Sequence, residues 1–153
     1  MSTKFLVSEV VPHKKTMSLL TEIVEHDEES LKARVIINND TLFLTDEKIP
    51  AYIGIEYMAQ SIAAFAGVQE RLKGGEAKVG FLVGTRKYNT SVSHFVNHST
   101  LIIDVAREFQ ADNGLGVFNC SISSNLDELV NCVLNVFQPD SVEEFLASEQ
   151  MNK

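Results

Sequence analysis

The chain has 153 residues, enough for one ordinary domain that buries about two thirds of its unfolded surface without a metal or a disulfide. Hydrophobic residues at 44% and charged residues at 22% exclude a disordered chain, and a formal net charge of −8 argues against nucleic acid, whose phosphates need a concentrated positive face. Met1 to Val11 is broken by Ser8 and Glu9, too polar for a signal peptide, and the most apolar run, Tyr52 to Val68, contains Glu56 and Gln60, so no membrane span and a cytoplasmic setting are expected.

Leu19 to Val24 and Leu31 to Ile37 predict two strands, the second with Leu31, Ala33, Val35 and Ile37 on one face and Lys32 and Arg34 on the other. The acidic stretch Glu25 to Glu29 between them reads as a hairpin turn. Asn38 to Lys48 is polar and irregular apart from Leu42, Phe43 and Leu44, and leads to Pro50, a residue suited to a helix start. Ile53 to about Leu72 is then the one long helix, apolar or small nearly all the way round in its first four turns, which places it inside. Gly54, Ala59, Ser61, Ala63, Ala64, Ala66 and Gly67 keep it thin enough for a sheet to wrap closely, and Lys73-Gly74-Gly75 ends it.

Four further strands are predicted at Lys78 to Tyr88, Thr100 to Phe109, Leu115 to Ser123 and Leu129 to Phe137, with turn signals at Asn113-Gly114 and Asn125 to Asp127. Residues 138–153 form an acidic tail. The order predicts a single α+β domain over 1–153, an antiparallel sheet of five or six strands curled around one long central helix. Cys120 and Cys132 fall in different predicted strands, with no ligand-like spacing and no nearby His. They read as reduced, half-buried thiols, and neither a metal nor another cofactor is expected.

Two segments carry a family resemblance. Val11-Pro12-His13-Lys14-Lys15-Thr16-Met17 resembles the "L-P-H-R-x-P-x-L-L" opening of β-hydroxyacyl-acyl-carrier-protein dehydratases, which have the hot-dog fold. Ile49-Pro50-Ala51-Tyr52-Ile53-Gly54-Ile55-Glu56-Tyr57-Met58-Ala59-Gln60 resembles their "M-P-G-x-L-x-x-[ED]-A-x-x-Q" helix start. The likeness runs over 11–137. It is strongest to the divergent dehydratase subunit of aryl-polyene-type pathways, which has "E-Y-M-A-Q" in the helix. In the family a His of "H-F-P-G" lies 14 residues before the acid. Counting back from Glu56 lands on Leu42, and Phe43 then falls on the family's Phe. The register closes without a gap, so His is replaced by Leu.

Dehydrating a β-hydroxyacyl thioester needs a base for the α proton, an acid for the leaving hydroxyl and donors for the enolate-like oxygen. The resemblance implies that the family's His is the base, that Glu56 is the acid, and that amides around Tyr52, Ile53 and Gly54 hold the thioester oxygen. Apolar neighbours would favour the neutral acid at Glu56, and the helix N-terminal dipole would oppose that. The alternative is a carboxylate that only complements the dipole. Gln60, one turn on, is positioned to orient Glu56, or is merely a satisfied polar residue. His13 sits in the opening motif, where it reads as structural. His26 falls in the acidic turn and is expected exposed, and no spacing argument places His94 or His98 at the substrate.

Three functions follow. The first is a dehydratase subunit that supplies Glu56 to a composite site whose His comes from a sister chain, weak or inactive alone. The second is a hot-dog acyl thioesterase, and the third a non-catalytic acyl-binding or scaffolding subunit. The expected partners are an acyl thioester on acyl carrier protein or CoA and a second copy or sister subunit. Acyl carrier protein is acidic, as this chain is. Lys14, Lys15, Arg71, Lys73, Arg86 and Lys87 would have to form a local basic patch, or else are scattered solvated charges.

Overall fold

The computed structural model describes residues 5–10, 18–75 and 81–138. A short helix, α1 (Val7–Val10), precedes two strands, β1 (Glu22–His26) and β2 (Ser30–Ile36). Then come β3 (Lys48–Pro50), a 3-10 turn (Ala51–Ile53) and the long helix α2 (Gly54–Leu72). Five strands complete the described chain: β4 (Phe81–Thr90), β5 (His94–Val96), β6 (Thr100–Gln110), β7 (Leu115–Ser124) and β8 (Asp127–Phe137). Six strands pair antiparallel in the order β1-β2-β6-β7-β8-β4, while β3 and β5 make a separate two-stranded ribbon. The sheet curls around α2, the hot-dog arrangement.

Alternation builds the core. Leu31, Ala33 and Val35 of β2, Leu101, Ile103 and Val105 of β6 and Phe118, Cys120 and Ile122 of β7 all point inward and are buried. They meet Tyr57, Met58, Ile62, Phe65 and Val68 of α2, each large side chain contributing about 1.5–3 kcal/mol by leaving water. The small residues let the backbones approach. A Cβ on Gly67 would lie 2.0 Å from the carbonyl oxygen of Val10, so α1 lies directly against α2. At the C-terminus, Gly74 (φ 85°) takes the left-handed conformation. Its N–H donates to the Arg71 carbonyl and that of Gly75 to the Glu70 carbonyl, which closes the helix.

The structure shifts several expectations. The first strand begins at Glu22, so Glu25 and His26 belong to β1, and the turn is Asp27 to Glu29, closed by the Asp27 carboxylate accepting the amides of Glu29 and Ser30. Pro50 ends β3 and is the N-cap of the 3-10 turn that leads directly into α2. Nor is α2 enclosed all round. Ile55, Ala59, Ala63 and Ala66 form a half-buried row, because one sheet covers only part of a helix's circumference.

Candidate active site

The N-terminal end of α2 is held by the β3–β5 ribbon. Ile49 and Phe95 are cross-strand partners and point inward, both essentially buried. The Phe95 ring lies 6.1 Å from that of Tyr57 and beneath Gly54, where a Cβ would strike Tyr88 Oη at 2.8 Å and Ile122 at 2.9 Å. Alternation sends the other two pairs, Lys48 with Val96 and Pro50 with His94, to the opposite face. Ala51 N–H donates to the Ser93 carbonyl at 3.1 Å, and Tyr88 Oη donates to the Ala51 carbonyl. Burial, helped by the neighbouring Cys132, pushes the Tyr88 phenol up to about 12, so it remains a donor.

The loop from Asn38 to Glu47 carries Leu42 and Phe43, both part-exposed. Its backbone is strained, with positive φ at Phe43 (71°), Asp46 (52°) and Glu47 (66°), and Asn97 holds it. The Asn97 side-chain amide donates to Asn39 Oδ1 at 2.7 Å and to Glu47 Oε2 at 2.8 Å, and its backbone N–H donates to the Glu47 carbonyl. Between loop, ribbon and helix start runs a groove of about 430 Å³, with apolar walls from Phe43, Pro50, Tyr52 and Ile53 and polar groups from Lys48, Ser93 and His94.

Phe43, Tyr52 and Ile53 are thus brought together. Leu42 is next to Phe43 in the loop but is not among the groove walls. Glu56 stands in the first turn of α2, exposed, so the apolar surroundings expected for it are not supplied by its own chain. The Gly54 amide turns back to the carbonyls of Ala51 and Tyr52, so of the three amides expected to hold the thioester oxygen this one is already engaged within the chain. Gln60 is buried, and its Oε1 accepts the Leu19 N–H at 2.8 Å, anchoring the segment before β1.

His13, Lys14 and Lys15 lie outside the described residues. Contrary to expectation His26 is half-buried, its ring 5.7 Å from Phe5. His98 is exposed in the turn after β5, whereas His94 lines the groove. Sequence reasoning could not place His94, because three-residue strands give too little alternation to be read. Of the basic residues, Arg71 and Lys73 are at the end of α2 and Arg86 and Lys87 on β4, two separate elements. Cys120 and Cys132 are cross-strand partners and are buried more deeply than expected. The hydrogen-bonded Cys132 and burial push the Cys120 thiol up, which keeps it protonated. Among the described residues no cluster of His, Cys, Asp and Glu could hold a metal, and no helix is long and apolar enough to cross a membrane.

Residues 5–147 match the ApeP-like family, described as ApeP dehydratase. The chain belongs to this family. Among solved structures it is similar to the dehydratase heterocomplex ApeI:P from Xenorhabdus doucetiae, at 26% identity and a TM-score of 0.87 over 99% of this chain and 100% of that one. It is also similar to a hypothetical thioesterase with coenzyme A from Streptococcus pneumoniae (11% identity, TM-score 0.60, 76% and 84% covered). A third likeness is to Cj0977, a sigma28-regulated virulence protein from Campylobacter jejuni (15%, 0.61, 88% and 88%). These last two share the fold. A search of curated proteins finds no match. The family is therefore that of a hot-dog dehydratase of aryl-polyene type, and its dehydratase character rests on the match over nearly the whole chain.

Proposed function

We propose that this chain is one half of a composite β-hydroxyacyl thioester dehydratase, acting on substrate carried by acyl carrier protein and paired with a sister subunit that keeps the family's His. The observation that carries the reading is the split between two positions. The acid position, Glu56, is retained and stands exposed at the start of α2, while the base position 14 residues earlier is Leu42, which cannot move a proton. The similarity to a dehydratase heterocomplex supports a partner of the same fold. In such a pair, sites lying between the chains are unequal. One joins the sister's His to Glu56, and the other joins Leu42 to the sister's acid. The half-open row Ile55, Ala59, Ala63 and Ala66 beside Glu56 is a surface a second hot-dog helix would cover, and covering it would give Glu56 the apolar surroundings its own chain withholds.

The test is co-purification with the sister subunit and assay on β-hydroxyacyl carrier protein. Glu56→Gln keeps the side chain's shape but cannot deliver a proton. It should cost the complex roughly a hundred- to ten-thousand-fold in rate, as should removal of the sister's His. Neutralising the sister's own acid should cost little. An unchanged rate in Glu56→Gln with an essential sister acid would make this chain a passive partner. Release of free thiol without an unsaturated product would point instead to a thioesterase.

A further inference from the structure

The groove that contains Phe43, beside Leu42, is not without a proton acceptor. His94 lines it, half-buried, directly opposite Pro50 in the β3–β5 ribbon and in the same groove as Tyr52 and Ile53 of the helix start. The ribbon fixes its backbone. The next residue, Phe95, is packed against Tyr57, and the preceding carbonyl, that of Ser93, accepts the Ala51 amide. Its ring is oriented as well, with Nδ1 2.9 Å from Ser93 Oγ. When Nδ1–H donates to that hydroxyl, Nε2 presents its lone pair, and imidazole is the side chain best suited to take a proton near neutral pH. Lys48 and Tyr52 are the other titratable side chains lining the groove.

We infer that His94 is a second-choice base that makes the chain a weak β-hydroxyacyl thioester dehydratase on its own, in a site formed with Glu56 of a second copy. This rests on the reading that the sites lie between two chains, but not on a sister subunit. In the step, the α C–H bond breaks and its proton passes to His94 Nε2. The electron pair forms the Cα=Cβ bond, the Cβ–O bond breaks, and the departing oxygen takes a proton from Glu56 of the second copy and leaves as water. Proton exchange through solvent then returns the imidazolium and the carboxylate to their starting states.

The experiment uses the purified full chain and a short β-hydroxyacyl thioester of N-acetylcysteamine, followed by absorbance of the unsaturated product. Wild type should exceed the uncatalysed rate, and His94→Gln should lower that rate on the order of a hundredfold with an unchanged circular dichroism spectrum. His94→Ala should lose a similar factor and regain part of it on adding free imidazole, which a packing role would not do. Three outcomes overturn the inference: a wild-type rate no faster than the uncatalysed one, His94→Gln as active as wild type, or loss in His94→Ala that imidazole does not restore. None of these bears on the composite site, which is read from Glu56→Gln in the complex.

Discussion

Tyr57 and Tyr88 flank the start of α2 with opposite outcomes for their hydroxyls. That of Tyr88 donates to the Ala51 carbonyl, while that of Tyr57 is buried with no hydrogen-bond partner. Removing an unsatisfied buried hydroxyl is neutral or favourable, and removing a satisfied one leaves a carbonyl wanting. Tyr57→Phe should therefore leave stability unchanged or raise it by up to about 1 kcal/mol, and Tyr88→Phe should lower it by about 1 kcal/mol, measured by urea unfolding. Burial raises both phenols from 10.0 to about 12. As acids with raised folded values they hold their protons longer in the native state than in the unfolded chain. Their stabilising effect is thus complete below about pH 10 and lost as pH rises towards 12, and the double Phe variant should flatten that alkaline decline. A third residue, Leu42, is part-exposed in its loop, leaving room for an imidazole. Leu42→His should raise the dehydratase rate of the chain alone by about a hundredfold, the lower range of general-base contributions, in the same absorbance assay.

At the scale of elements, what the sequence discloses depends on length. The long helix and the strands of seven or more residues are legible because ten or so residues repeat a period clearly. The three-residue strands β3 and β5 are not, and with them went the groove and the place of His94. Glu56 and Leu42 were legible by counting along the chain, but the exposure of Glu56 was not, since it depends on how much of α2 one sheet can cover. The β7–β8 hairpin shows a further limit. Asn125 marks the turn, yet Leu126 also sits at positive φ (71°), fully exposed, in a conformation that costs a branched side chain about 1–2 kcal/mol. Leu126→Gly should stabilise the hairpin by about 1 kcal/mol, because two-residue hairpin turns favour Asn-Gly, and a raised thermal midpoint would show it.

At the scale of the molecule, the two strands that end the sheet among the described residues, β1 and β4, differ. β1 is short and irregular, with a shifted register between Ile23 and Glu25, and its acids are already engaged by the neighbouring strand through Arg34–Glu22 and Lys32–Glu25 ion pairs. β4 also has register shifts, between Leu82 and Gly84 and between Arg86 and Asn89, but it is ten residues long and exposes Leu82 and Val83. Strand edges of the second kind invite pairing, and those of the first kind discourage it. The purified chain should be a dimer by light scattering at micromolar concentration, and Val83→Lys should shift it towards monomer. The asymmetry also sets a valence. Growth into a filament needs two adhesive edges per copy, one to receive and one to offer. If β4 is the edge used in the first pairing and β1 discourages a second, each copy has a valence of one, so association would end at a closed pair, and an edge given to a sister chain would no longer be open to a twin.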